Sequence, residues 1–290
     1  MVAKNSVRRG FIFPPYLLLL FPAVSFMLLM YAYPFIASFT RSLIDAQGNI
    51  SFANYAKTWD LYLKDIVFTF GVTVFSTAVT GAAAILLAVY LRFRQSPISM
   101  ILSGLYKLPI FIPFVVVAQM MNSFLAPHGL LNIALAKFGL IDIDQPLQLF
   151  NFSGLSFGFI WKMVPFSVLI IHGGFQMIDD SYIEAARSAG ARLFKVITRI
   201  LIPMSKSSIM VALVLVYSQI VGTFTLPYML IGGKSPTTIT VDIAHRVNYF
   251  RDFGVANSLG VFSYFLVFFT AIYYLRSSVQ KMAETKPAEG

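Results

Sequence analysis

The chain has 290 residues, of which 58% are hydrophobic and 12% charged, with a net charge of +10 and no cysteine. Soluble domains are nearer half apolar and a quarter charged, so this composition excludes an ordinary soluble domain and indicates an integral membrane protein. The lack of cysteine excludes disulfides and cysteine-ligated metals. The positive charge is explained by basic cytoplasmic loops rather than by nucleic-acid binding.

Six apolar runs reach the roughly 20 residues that are needed to cross the hydrocarbon core of a bilayer. They are 11–39, 66–91, 98–124, 153–177, 204–231 and 253–275. The first run is too long for the apolar part of a removable signal peptide. Since continuous apolar runs satisfy their backbone in lipid as helices, six transmembrane helices are predicted. Pro109, Pro113 and Pro165 lie inside these runs and are predicted to break or kink their helices.

The segments between the runs carry lysine and arginine unevenly. With the N-terminus inside, the inward segments hold more than twice as many of these residues as the outward segments. Because positive residues are enriched in cytoplasmic loops, both termini are predicted to be cytoplasmic. The segment 179–203 then lies in the cytoplasm, whereas 125–152 and 232–252 face outward.

No aspartate or glutamate occurs in the six runs, and two of them contain a lysine in their interior, Lys107 or Lys162. Ion-coupled carriers bind their ion at an acidic residue at membrane depth, so the energy for transport is expected to come from elsewhere. The two lysines favour a neutral or anionic solute over a cationic one such as a polyamine, unless a partner subunit supplies the acids.

Polar and aromatic residues within the runs are the candidates for a solute path. They are Lys107, Gln119, Asn122, Trp161, Lys162, Tyr217, Gln219 and Thr223. The alternative is that these side chains only bond a neighbouring helix, which is the more frequent role of polar residues in membrane helices. The three histidines are dispersed along the chain, and no metal site is predicted.

The segment 179–203 is polar, basic and helix-forming, and it lies between two apolar runs. Ser181 and Glu184 fit a capping box at the start of a first helix, and Gly190 permits a tight bend after it. A second helix, predicted from about Ala191, carries apolar and basic residues on different faces. The segment is either a docking element for another protein or a linker of two amphipathic helices on the lipid headgroups.

The spacing within this segment resembles the loop that marks the permeases of binding-protein-dependent ABC importers. That loop contains Glu-Ala-Ala, a glycine six residues after the glutamate, and then Ile-x-Leu-Pro. Here the matching residues are Glu184-Ala185-Ala186, Gly190, Ile200, Ile202 and Pro203, with Ile202 at the position of the leucine.

Other residues resemble the sugar and glycerol-phosphate branch of the same family. They are Tyr33-Pro34, Asn54-Tyr55, Leu108-Pro109, Gly129 to Asn132, Trp161 to Phe166, Gly232-Gly233 and Asp252 to Ala256. One departure is Ser188-Ala189, where sugar permeases often have Ile-Asp before the loop glycine. This departure leaves the polyamine, iron and other small-solute branches open.

The resemblance implies an all-α integral membrane fold of the type I ABC importer permeases, with six transmembrane helices and both termini cytoplasmic. Residues 1–62 would form an N-terminal tail, the first transmembrane helix and an outer loop. Residues 63–276 would form the permease core, with the coupling loop at 179–203, and 277–290 a cytoplasmic tail.

The implied function is that of a permease subunit in a bacterial or archaeal plasma (inner) membrane. It would form half of the path for a sugar, oligosaccharide, polyol or glycerol-phosphate-like solute. Its implied partners are a second permease in a heterodimer, two copies of a cytoplasmic ABC ATPase, and a periplasmic or lipid-anchored solute-binding protein. ATP and Mg would be bound by the ATPase, so this chain would be no enzyme and hold no cofactor. The residues implied to couple to the ATPase are Glu184, Ala185, Ala186, Gly190, Ala191, Phe194, Ile200 and Pro203.

Two other classes are weighed against this one. A stand-alone secondary carrier is disfavoured by the missing membrane carboxylates and by the docking-type loop. An intramembrane enzyme is disfavoured because the sequence has no His-Glu-x-x-His, no Gly-x-Ser-x-Gly and no cysteine nucleophile. Gly233-Lys234-Ser235 resembles the end of a nucleotide-binding P-loop. That motif requires another glycine five residues before Gly233, where this sequence has Tyr228, so the segment is interpreted as a turn.

Overall fold

A computed structural model describes residues 16–94 and 96–284 of the protein. These residues form helices, turns and one isolated β-bridge between Ile44 and Ile50. Judged by length and composition, five of the helical segments can cross a membrane. A sixth span results if two consecutive helices, whose axes differ by 70° at the break between them, are counted as one. This architecture is the predicted all-α membrane fold.

The first span is one continuous helix that lies at the side of the bundle. α1 (Tyr16–Met27) passes through a π-helical turn (Leu28–Ala32) into α2 (Tyr33–Ser42). The Ser38 hydroxyl donates to Asn257 Oδ1 at 2.7 Å and so joins α2 to the last helix of the chain, α14 (Phe253–Glu284). The first five residues of the predicted run, 11–15, lie outside the described residues.

The centre of the bundle is the pair α3 (Ala53–Phe93) and α7 (Phe152–Gln176). Small side chains on α3 allow close approach, as is usual between membrane helices. They include Thr73, Ser76, Thr80, Ala84 and Ala88, all buried. At 41 residues, α3 is about 60 Å long, roughly twice the thickness of a bilayer core. The sequence predicted only its 66–91 portion because the first turns are charged.

The third predicted run, 98–124, is not one helix. It consists of α4 (Pro97–Leu105), a 3₁₀ turn (Leu108–Phe111) and α5 (Phe114–Leu125), which is followed by α6 (Leu130–Lys137). The interruption falls at Pro109 and Pro113, which lack the N–H that a helix interior needs, so these two breaks are confirmed. At Pro165, in contrast, α7 continues without a break.

The fifth predicted run, 204–231, is also divided. α11 (Lys206–Gly222) ends at Gly222, and the short α12 (Thr225–Leu230) follows it. Before α11 come α8 (Asp180–Ser188), α9 (Leu193–Val196), a π-helical turn (Ile197–Leu201) and α10 (Ile202–Met204). After α12, α13 (Ile239–His245) and a π-helical turn (Arg246–Phe250) lead into α14.

The helices leave loops at two opposite ends of the bundle. The 179–203 end comprises 94, 96 and 177–205, and the 231–252 end comprises 43–52, 126–151 and 231–252. Separate apolar clusters lie toward each end. Phe175, Ile171 and Leu201 pack toward the 179–203 end, whereas Phe159 and Leu226 pack toward the other.

Candidate functional site

The helix α8 of the 179–203 segment begins with an Asp cap rather than the predicted capping box. The Asp179 carboxylate accepts the Ser181 N–H at 2.8 Å, so the helix starts at Asp180. Hydrogen bonding from Ser181 lowers the pKa of Asp179, because these bonds favour the charged carboxylate. Glu184 therefore has no capping role, and its side chain is exposed.

The predicted bend at Gly190 is present and has a defined geometry. Gly190 adopts a left-handed conformation with φ +81°, which favours glycine. Its N–H donates to Arg187 O at 2.9 Å, and the Ala191 N–H donates to Ala186 O at 2.9 Å. These two bonds form a Schellman motif, which ends α8 and turns the chain toward α9.

The segment has one buried and one exposed side. Ile183, Val196 and Leu201 are buried and fix it to the bundle. Of the residues predicted to couple to an ATPase, five are exposed and three half-buried. The exposed ones are Glu184, Ala185, Gly190, Phe194 and Pro203, and the half-buried ones are Ala186, Ala191 and Ile200. The Phe194 ring is 75% exposed, as expected of an apolar side chain that meets a partner or lipid.

Two cavities contain four of the predicted solute-path residues. Gln119 and Trp161 line a cavity of about 450 Å³ between α5, α6 and α7. Lys162 and Gln219 line a second cavity of about 300 Å³, whose wall includes the break at Pro113. The structure thus brings together residues from three separate predicted runs.

Lys162 has no donor left for a solute. Its ammonium group donates to the backbone carbonyls of Pro109, Ile110 and Ile112 at 2.8, 3.2 and 2.6 Å. A lysine has three N–H donors, so these bonds occupy all of them. All three carbonyls lie at the break in the third run, where Pro109 O also accepts the Ile112 N–H at 3.3 Å. Lys162 therefore stabilises an interrupted helix.

The remaining predicted solute-path residues lie outside the two cavities. Lys107 is exposed, with its ammonium 5.7 Å from the centre of the Tyr106 ring. Asn122 donates to Met229 O at 3.0 Å, and the Thr223 hydroxyl donates to Gln219 O at 2.6 Å. Tyr217 is buried. Asn122 thus bonds a neighbouring helix, which was the alternative to a solute role, whereas Thr223 bonds a carbonyl of α11, the helix that it directly follows.

Sequence reasoning missed two buried carboxylates, because Asp65 and Asp242 lie outside the predicted runs. Asp65, near the start of α3, accepts the Thr237 N–H at 2.7 Å and the Ser235 hydroxyl at 2.9 Å. Asp242 on α13 is buried beside it. Burial and the charge of Asp65 raise the pKa of Asp242 to about 8, although Arg246 acts in the opposite direction. Neither carboxylate lines the two cavities.

The sequence model of one protein family, described as the binding-protein-dependent transport system inner membrane component, matches residues 80–284. The chain belongs to this family. The permease is 29% identical over 280 residues to the sulfoquinovosyl glycerol transport system permease protein SmoG of Agrobacterium fabrum, covering 89% of this chain and 88% of the relative. It is 26% identical over 210 residues to the spermidine/putrescine transport system permease protein PotB of Salmonella typhimurium, covering 71% and 72%.

A solved structure shares the fold of the permease. It is a bacterial alginate ABC transporter in complex with an alginate pentasaccharide-bound periplasmic protein, and one of its chains superposes with a TM-score of 0.76 at 21% identity. The match covers 90% of this chain and 92% of that chain.

These matches confirm several predictions. The permease is a multi-pass subunit of an ABC importer in the plasma (inner) membrane, with the type I permease fold, and it is a transporter subunit rather than an enzyme. Among the described residues, no group of three or more His, Asp or Glu side chains could hold a metal ion.

Proposed function

We propose that the permease forms half of a solute path together with a second, different permease chain. Two copies of an ABC ATPase bind ATP and Mg, and one of them docks on the 179–203 segment. A solute-binding protein delivers the solute at the 231–252 end. In this arrangement both termini are cytoplasmic. The exposed Phe194 and the bend at Gly190 support the docking role, because they present a defined apolar surface at one end of the bundle.

The solute we propose is a sugar, oligosaccharide, polyol or glycerol-phosphate-like molecule. The cavity lined by Gln119 and Trp161 carries this proposal, since it offers an amide for hydroxyl groups and an indole face for a sugar ring. The relative SmoG is named for sulfoquinovosyl glycerol, which contains a sugar and glycerol. The three N–H donors of Lys162 are occupied by backbone carbonyls, so none is left to bind an anionic solute.

A polyamine is the second candidate, because PotB proteins are named for spermidine and putrescine. A polycation requires carboxylates along its path. Asp65 is the one buried carboxylate in the described spans, and it is bonded to loop residues outside both cavities. A polyamine path would therefore need its acids from the second permease, and this is why we favour the carbohydrate.

Uptake by the complex purified from its native membrane, in liposomes with its binding protein, tests the solute class. Labelled disaccharides, glycerol 3-phosphate and spermidine are offered separately. Trp161→Ala should reduce uptake of a sugar on the order of tenfold, by loss of ring stacking. Trp59→Ala is the matched control, because Trp59 is exposed on α3 and lines neither cavity. Uptake of spermidine alone would establish the polyamine class instead.

A further inference from the structure

Arg92 joins three helices at the 179–203 end. It lies in the last turn of α3, where its Nε donates to Phe175 O at 3.2 Å. Its Nη2 donates to Ile178 O at 3.1 Å and to Asp180 Oδ1 at 2.5 Å. One guanidinium thus contacts the end of α3, the end of α7 and the first residue of α8.

The chemistry of each contact suits an arginine. The last carbonyls of α7 have no partner within their own helix, and a cation near a helix C-terminus interacts favourably with its dipole. A planar guanidinium presents five N–H donors in a rigid fork, whereas a lysine ammonium has three donors on one atom at the end of a flexible stem. Arg92 is largely buried, with 16% of its side chain exposed, whereas Asp180 is 69% exposed. The ion pair therefore reaches from the bundle interior to the exposed helix.

A second contact holds α8 against the same end of α3. The Arg187 guanidinium, near the C-terminus of α8, lies 5.7 Å from the centre of the Phe93 ring. Phe93 follows Arg92 directly. Both ends of α8 therefore contact two neighbouring residues of one long helix, and α3 runs from there to the opposite end of the bundle.

We infer that Arg92 is a positioning residue that makes α8 move with α3 and α7 as one body. This inference rests on the proposed docking of an ATPase at 179–203. A displacement of α8 by the ATPase is then transmitted directly to the two central helices. Without the guanidinium, the ATPase still docks on the exposed side of the segment, but α8 moves alone.

The permease is suited to a distance measurement because the chain has no cysteine. Spin labels are placed at Tyr182→Cys on α8 and at Val67→Cys on α3, both exposed positions. Distances are measured by electron paramagnetic resonance in the whole purified complex, before and after addition of MgATP and vanadate. The complex with the cysteine-free chain serves as background.

With Arg92 present, we expect a narrow distance distribution that MgATP and vanadate leave unchanged. With Arg92→Gln, the distribution should broaden, and MgATP with vanadate should shift it by about 2 Å or more. The amount of co-purified ATPase should remain the same. Arg94→Gln is the matched control, since Arg94 is exposed two residues further on. Arg92→Lys, which keeps the charge without the planar fork, should rescue the narrow distribution only in part.

Distances in Arg92→Gln that equal those of the unaltered chain in both states would overturn the inference. If the complex with Arg92→Gln does not assemble, the same distances are measured with Asp180→Asn, which weakens only the ion pair between Arg92 and α8. A distance distribution equal to that of the unaltered chain would then also reject the inference that Arg92 holds α8 to α3. Failure of the proposed function would be recognised by another result, namely that no ATPase co-purifies with the unaltered chain.

Discussion

The two ends of the bundle are held together in different ways. At the 231–252 end, buried side chains fasten the loop to α3: Asp65 binds Ser235 and Thr237, and the Ile239 N–H donates to the Thr69 hydroxyl at 3.0 Å. At the 179–203 end, α8 leaves most of its side chains exposed, and a single guanidinium fixes its start. One end is stabilised by buried contacts within the chain, and the other exposes the surface on which we propose that the ATPase docks.

Because of this difference, we expect substitutions at the two ends to affect different properties, the stability of the chain at one end and its coupling to the ATPase at the other. Groups buried in the folded chain contribute most to its free energy of unfolding, because an unpaired buried polar group is costly. Exposed segments unfold locally at little cost to the whole. Substitutions at the 231–252 end should therefore affect unfolding, whereas substitutions at the 179–203 end should affect the partner.

The largest effect on stability is expected from Asp65→Ala. It leaves the buried Thr237 N–H without its acceptor, which costs about 1–3 kcal/mol, whereas the Ser235 hydroxyl is on an exposed residue and can bond water instead. Thermal unfolding in detergent measures the loss. Asp60→Ala is the control, since Asp60 is exposed on the same helix. Equal melting temperatures for the two variants would contradict the claim that Asp65 anchors the loop.

Asp242→Asn should change how stability depends on pH. The pKa of Asp242 is raised from 3.8 to about 8 by burial and by Asp65, so the folded state keeps a proton that the unfolded state releases. Stability of the unaltered chain is therefore lost as the pH rises from about 4 to about 8. The stabilisation by Asn should grow over this range, on the order of a few kcal/mol.

Asp252 is a control for Asp242, because its effect on how stability depends on pH is expected to have the opposite sign. Burial raises the pKa of Asp252, but Lys57, the Val255 N–H and Arg246 together lower it below the ordinary value. Its contribution is present at neutral pH and is lost as the pH falls through the lowered folded-state pKa. Melting temperatures of Asp242→Asn and Asp252→Asn that follow the same pH trend would show that one assignment is wrong.

Gly190→Val should reduce ATPase binding more than stability. A β-branched residue at φ +81° costs roughly 1–2 kcal/mol, and the strain is relieved by opening the Schellman bend of the exposed segment. Co-purification of the ATPase should fall strongly, with a small change in melting temperature. Gly48→Val imposes the same strain at φ +86° at the other end, and it should retain the ATPase. Loss of ATPase in both variants would refute a docking role specific to 179–203.

The smallest effect is expected from Lys57→Ala. Lys57 and Asp252 form an ion pair at 2.6 Å, but half of the lysine side chain is exposed, and pairs of this kind contribute about 0–1 kcal/mol. Raised salt should reduce the effect further. A loss of stability as large as that of Asp65→Ala would mean that surface charge, rather than burial, holds the 231–252 end together.

Features of the sequence that depend on near neighbours could be predicted. The apolar runs predicted the spans, Pro109 and Pro113 predicted the break in the third run, and Gly190 predicted the bend. The cap of α8 was misplaced because Asp179, Asp180 and Ser181 can all accept an N–H, and only the backbone geometry selects Asp179.

Features that depend on residues far apart in the chain could not be predicted. Arg92 binds Asp180, 88 residues away, and Asp65 binds Thr237, 172 residues away. The charged residues in the first turns of α3 led to their prediction as part of a loop. Lys57 and Asp65 there bind residues far along the chain, which the sequence alone does not show. The three carbonyl partners of Lys162 could not be predicted for the same reason, because they lie 50 to 53 residues away, at the break in the third run.

Purification of the tagged permease from its native membrane in mild detergent tests the central claim most directly. The proteins that co-purify are identified by mass, and the complex is reconstituted in liposomes with and without ATP. The account predicts a P-loop ATPase and a second six-span permease in the complex, with solute uptake that requires ATP. A chain that emerges alone, and that moves solute without ATP, would contradict the account and establish a secondary carrier.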